Sequence, residues 1–265
     1  MKYIPVSKAH AAYLKRLRRD ARTVRLSQIG VLLGVLLLWE IGADLKWFDP
    51  FILSSPSRVL ATVIRLYSDG SLWLHIGTTL FETVLGFVLG TLLGALFAVL
   101  LWWMPRLNRI LDPYLVVLNA LPKIALGPVL IVWIGAGMAS IVVMGVLVSL
   151  IVTTVTVLNG FLATTDEKQL LMRTLGATKL QIFTKVVFPA GIPDLISALK
   201  ISVGMSWVGV IVGEYLVSKA GLGYLIVYGG QVFKLDLVMA SVAILCVLAA
   251  LMYYAVAFLE KKVRR

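Results

Sequence analysis

Apolar residues in this chain fall in long runs, not in the narrow stripes or short alternations of a soluble fold. Crossing the hydrocarbon core of a bilayer takes about 20 mostly apolar helical residues. The runs predict six spans, at 28–45, 77–103, 113–135, 139–162, 194–217 and 236–259. The first is the shortest and carries Glu40 near one end. The reading is an all-α integral membrane bundle with a basic segment at 1–27, a six-span domain at 28–259 and a basic tail at 260–265. A long polar loop at 163–193 interrupts the spans. Composition agrees, with 60% hydrophobic and only 14% charged residues, against about 25% charged in ordinary domains.

Charge orients the spans. Lys and Arg collect in short cytoplasmic loops. Eighteen basic residues lie on the side that holds both ends and the loops near 104–112 and 163–193, while five lie on the other. Both termini are therefore expected in the cytoplasm. The net charge of +12 is mostly a consequence of topology. Nucleic-acid binding needs a folded basic surface or a recognition helix, and the sequence offers neither. Residues 13–25 read either as a basic helix on anionic headgroups or as a solvated orientation tag. The first apolar run lacks a small-residue cleavage site, so it is expected to stay as an anchor.

Chemistry is sparse. The single cysteine, Cys246, sits in an apolar run and reads as a packing residue, and His10 and His75 lie outside the runs. Neither a catalytic nor a metal site is expected. No G-x-x-x-x-G-K-[ST] loop is present, so phosphates are not cradled in that way. Any ATP-driven step would need a partner subunit.

Within the spans, Gly86, Gly90 and Gly94 recur every fourth residue. On a helix they share a face and permit close backbone approach. The third run carries Pro122 and Pro128, which are expected to kink it. Asn119 and Lys123 stand one turn apart beside the first proline, and an ionisable residue in a span is a functional candidate. The candidate solute pathway comprises Asn119, Pro122, Lys123, Lys200 and Glu214. Lys200 and Glu214 sit four turns apart and cannot pair with each other. Glu82 reads as a cap, a pairing partner or a vestibule group.

The loop from Leu170 to Pro193 carries the most information. Thr164, Thr165 or Asp166 is placed to cap a short helix, and Gly176 to end it. Thr178 then caps a second helix with Leu180, Phe183, Val187 and Phe188 along one side, and Pro189 and Pro193 mark the return to the membrane. Leu170, Leu171, Met172 and Leu175 give the first helix an apolar surface, read as a docking patch or as an interfacial helix resting on lipid.

Four segments in order resemble the permease subunit of type I binding-protein-dependent ABC importers, in the nitrate, sulfonate and taurine branch. They are FILSSPSRV (51–59), LNALPKIALGPVLIVWIG (118–135), the loop itself and AGLGYLI (220–226). In the loop, Gly176, Val186, Phe188 and Pro189 stand at the family's Gly, Ile, Leu and Pro. Leu170, Leu171 and Met172 replace the Glu-Ala-Ala triplet. The resemblance implies a MetI-like six-helix bundle in a bacterial inner membrane. It implies a solute pathway made with a second permease subunit, as a homodimer, and moved by two cytoplasmic ATPase subunits that hold ATP and Mg. A soluble binding protein would deliver a small solute such as a sulfonate, taurine or nitrate. Leu170, Leu171, Met172, Leu175, Gly176, Ala177, Phe183, Val186, Phe188 and Pro189 would form the coupling loop. A secondary transporter would need matching broken helices in the two halves. A non-transporting scaffold leaves the glycine-hinged loop without a purpose.

Overall fold

The structure, a computed structural model, describes residues 7–164 and 166–263, with the side chains of Lys8, Ala9, Ala11, Lys123, Ile124, Asp166, Lys262 and Val263 outside that description. The chain divides into two compact units, Met1–Thr62 and Val63–Arg265.

The first unit begins with α1, Lys8–Asp44, whose Ser7 cap accepts from the His10 N–H at 3.2 Å. No proline interrupts positions 8–44, so the basic stretch and the first apolar run form one helix. The boundary read at 27 falls inside it. The helix ends where Lys46 turns to φ 56°. α2, Pro50–Leu53, starts on Asp49, which accepts from the Phe51 N–H at 2.8 Å. Glu40 accepts from the Ser57 N–H at 2.9 Å. It thereby satisfies an orphan donor in the first turn of α3, Pro56–Ser68.

The second unit is built on three long helices: α4, Ser71–Trp103, then α7, Met138–Leu162, and α10, Phe188–Val217. Lipid tails supply no hydrophobic drive between helices, so close packing and interhelical hydrogen bonds hold them. The glycine ladder does this on α4. A β-carbon at Gly90 would lie 2.6 Å from Ser149 Cβ, and one at Gly94 would lie 2.8 Å from Thr153 Cβ. α10 packs on α7 through Gly209, where a β-carbon would meet Gly145 Cα at 2.8 Å. Hydroxyls tie the three together. Thr153 and Ser202 bond at 2.7 Å, and Thr154 donates to the Gly94 carbonyl at 3.2 Å. Between α4 and α7 the chain forms α5, Pro105–Ala120, and α6, Gly127–Ile134.

The third span departs from the sequence reading. It is not one kinked helix over 113–135. α5 stops at Ala120, Leu121 is extended, and a 3-10 turn at Lys123–Leu126 leads into α6. Pro122 forces the residue before it out of the helical region. Pro128 does not kink a helix: it sits in the first turn of α6, where its missing N–H costs nothing. Five helices among the described residues are long and apolar enough to cross a membrane. The broken segment supplies the remaining apolar stretch.

Four further helices complete the unit. α8, Asp166–Thr174, and α9, Lys179–Ile182, form the polar loop. α11, Leu222–Gln231, and α12, Leu235–Val263, pack together after α10, with Leu222, Leu225 and Leu237 buried between them.

Candidate functional site

The loop folds as a helix, a tight turn and a helix. At its first end the Gln169 side chain donates to the Thr164 carbonyl at 3.2 Å, and Thr165 lies outside the described residues. α8 closes on Gly176 at φ 79°. The Ala177 N–H reaches the Met172 carbonyl at 2.9 Å, and the Gly176 N–H reaches that of Arg173 at 3.0 Å. These two bonds are the Schellman pair, which satisfies carbonyls the helix end would otherwise orphan. Two residues later Thr178 and Gln181 form a reciprocal capping box that starts α9.

α9 does not end at its last regular turn. It passes through a π turn at Phe183–Val187 directly into α10. Pro189 explains the wide turn. It has no N–H for the Lys185 carbonyl and its ring crowds that group. The Phe188 N–H instead bonds back to Phe183. Pro193 lies inside α10, so neither proline marks a break. The loop after Gly176 and the fifth span form one continuous rod.

Burial sorts the loop residues into two groups. Leu170, Leu171 and Leu175 are 62, 61 and 73% exposed. Met172, Ala177 and Phe183 face inward against a core of Trp102, Phe161, Ile182 and Val187. Phe183 is the hub, with ring centroids 4.9 Å from Trp102, 5.5 Å from Phe161 and 6.0 Å from Phe188. Val186 is half-buried. Lys179 joins this cluster, with Nζ lying 5.7 and 5.2 Å from the Trp102 and Trp103 ring centroids. A cavity of about 380 Å³ separates the loop from α4 and α5, with Asn108, Gln169 and Arg173 on its wall.

The pathway candidates do not gather at one place. Lys200 pairs with Glu260 of α12 at 2.5 Å, which spends its charge within the bundle. The Lys123 side chain lies outside the described residues. Asn119 lines a cleft of about 320 Å³ between α5 and α7, together with Asp112 and Asn159. Glu214 is elsewhere, fully buried where α10 meets the start of α11.

That junction holds residues the sequence reading did not join. Three side chains receive three successive N–H groups at the start of α11. His75 Nδ1 accepts from Gly221 at 3.0 Å, Thr79 Oγ1 from Leu222 at 2.7 Å, and Glu214 Oε2 from Gly223 at 2.6 Å. No side chain fits at the two glycines: a β-carbon would sit 2.4 Å from the Glu214 carboxyl at Gly221 and 2.8 Å from it at Gly223. The sequence signals were Glu214, an ionisable residue in a span, and the glycine spacing in AGLGYLI. His75 and Thr79 belong to α4, more than 140 residues away, and only the fold brings them in.

Comparison with known proteins agrees with this architecture. The family described as binding-protein-dependent transport system inner membrane component matches residues 90–265. A probable ABC transporter permease protein of Haemophilus influenzae is 34% identical over 89% of this chain and 96% of its own. The formylaminopyrimidine transport permease protein ThiX of Halalkalibacterium halodurans is 33% identical over 72% of this chain and 76% of its own. The taurine transport system permease protein TauC of Escherichia coli is 25% identical over 96% and 94%. A chain in an inward-facing structure of the MetNI methionine ABC transporter superposes with a TM-score of 0.63 at 22% identity, covering 72% of this chain and 95% of that one. The glycine-seamed bundle and the hinged loop are thus those of a transport permease, and the chain belongs to the family of binding-protein-dependent transport system inner membrane components.

Proposed function

We propose that this chain forms the membrane pathway of an ATP-driven importer and is moved by a separate cytoplasmic ATPase that grips α8. The exposed face of Leu170, Leu171 and Leu175 on a capped helix carries this reading. The helix is too short to be stable alone, yet it is closed at its end by a Schellman pair and seated on buried aromatic rings. Such a helix moves as a rigid piece, and the continuous rod from α9 into α10 carries that motion into the bundle. Both termini and the loop face the cytoplasm of the cell bounded by this inner membrane, as the basic residues indicate. A second copy of the chain completes the pathway, and a soluble binding protein delivers the solute from outside.

The test is assembly. The Leu171→Ser/Leu175→Ser double variant should still insert in the membrane but should lose co-purification of the ATPase subunit. Unchanged recovery of the ATPase would remove the docking role.

The solute reading starts from sulfonates, taurine or nitrate. One observation favours a second class. Lys200 is paired, and the cleft that holds Asn119 is lined by a carboxylate and two amides. Those groups suit a neutral solute rich in hydrogen-bond donors, such as the formylaminopyrimidine named for the 33%-identical relative. Proteoliposomes with the complete assembly, offered labelled taurine or labelled formylaminopyrimidine, separate the two classes.

A further inference from the structure

Glu82 of α4 and Glu214 of α10 are each only 1% exposed. Their carboxyl groups lie within hydrogen-bonding reach of one another. Around them stand Thr79, the backbone of Gly221–Tyr224, and the rings of His75, Tyr215 and Tyr224. Glu82 Oε2 and Glu214 Oε1 find no donor among these groups. An ionised carboxylate only accepts. Two of them in contact inside an apolar bundle would repel strongly, with nothing to offset the cost.

A metal does not resolve the conflict. Among the described residues no group of three or more acidic, histidine or cysteine side chains is placed to hold one, and His75 Nδ1 already accepts from Gly221. One proton does resolve it, because a protonated carboxyl has one O–H to donate. The hydrogen-bond partners say which residue carries it. Glu214 receives the Gly223 N–H at 2.6 Å, with Thr79 and the Tyr224 backbone beside it. Glu82 has no such donors beyond Glu214 itself.

We infer that Glu82 and Glu214 form a proton-sharing pair, with Glu82 as the neutral acid that donates to the Glu214 carboxylate and so locks the start of α11 between α4 and α10. Glu82 is a positioning residue in this lock. It holds Glu214 in the orientation that receives the Gly223 N–H.

The inference stands on this geometry and not on the transport reading, and its readouts need no uptake. The full-length chain in lipid nanodiscs, within its assembly, is compared as wild type, Glu82→Gln, Glu82→Ala and Glu214→Gln by infrared spectroscopy and thermal unfolding. The wild type should show the carbonyl stretch of a buried protonated carboxylic acid. Glu82→Gln should remove that band yet unfold near the wild-type temperature, because its amide N–H replaces the acid O–H. Glu214→Gln should keep the band at a shifted frequency. Glu82→Ala should lower the unfolding temperature by on the order of 5 °C, since it leaves Glu214 buried without its donor. The inference is overturned if no protonated-acid band disappears in Glu82→Gln. It is also overturned if Glu82→Gln unfolds or fails to assemble as badly as Glu82→Ala.

Discussion

Lys179 reaches from the first turn of α9 to the last turn of α4, where its Nζ donates to the backbone carbonyl of Trp103 at 2.5 Å. The carbonyl is one of the helix-end acceptors that α4 leaves orphaned, and a cation there also complements the negative end of the helix dipole. The bond therefore ties the loop to a bundle helix other than the rod it feeds. Lys179→Met keeps much of the apolar stem but removes the donor and the charge. The expected outcome is a several-fold rise in ATP hydrolysed per solute moved, with normal membrane insertion. Lys179→Arg should recover much of the coupling. Parallel hydrolysis and uptake assays on the reconstituted assembly measure the ratio.

Gly176 has no atom within 4 Å of where a β-carbon would stand, and its φ is +79°. Any penalty on substitution is therefore backbone strain and not a clash. A non-glycine residue in this region costs about 1–2 kcal/mol, least for Asn. Gly176→Val should displace α8 and uncouple hydrolysis from uptake while the protein still inserts, and Gly176→Asn should be nearly silent. Normal uptake in the valine variant would count against a rigid hinge.

The α4–α7 seam predicts the opposite pattern. At Gly90 even one added carbon meets Ser149 Cβ at 2.6 Å and the Val146 carbonyl oxygen at 2.9 Å. Backbone cannot yield as a flexible side-chain tip does. Gly90→Ala should destabilise by about 1–3 kcal/mol, the range for overpacking, and Gly90→Leu should abolish folded protein. Thermal unfolding in detergent reads both. Gly77 on the same helix has open space around it, so Gly77→Ala serves as the tolerated control.

Lys200 and Glu260 are 26 and 18% exposed. A part-exposed ion pair contributes about 1 kcal/mol or less. Lys200→Met should therefore lower stability slightly, and the Lys200→Glu/Glu260→Lys exchange should restore it. Uptake of the transported solute should remain within about twofold of wild type in the exchanged protein, within that energy. A large loss confined to anionic solutes would place Lys200 on the pathway.

How much of this was legible beforehand follows from the range of the forces. Run length and glycine spacing are local signals, and they place the long helices and the face on which α4 packs. The turn at Gly176 and the cap at Thr178 are equally local, since each bond spans at most five residues. Pro189 does not interrupt the rod. The helix absorbs it by widening into a π turn, with Ile182 and Val187 buried in the bundle at the two ends of that turn. The effect of Pro128 depends on where the preceding helix stops, which no local pattern records.

The sequence alone therefore determined a membrane-spanning helical bundle and the helix–turn–helix shape of the polar loop, because hydrophobicity and turn chemistry act between near neighbours. Only the tertiary structure decided which polar residues meet. It paired Lys200 with Glu260, set Lys179 on Trp103, and brought His75, Thr79, Glu82 and Glu214 around the glycines of α11. A buried polar group must find its partner wherever the packing of distant helices leaves one, and no pattern along the chain records where that will be.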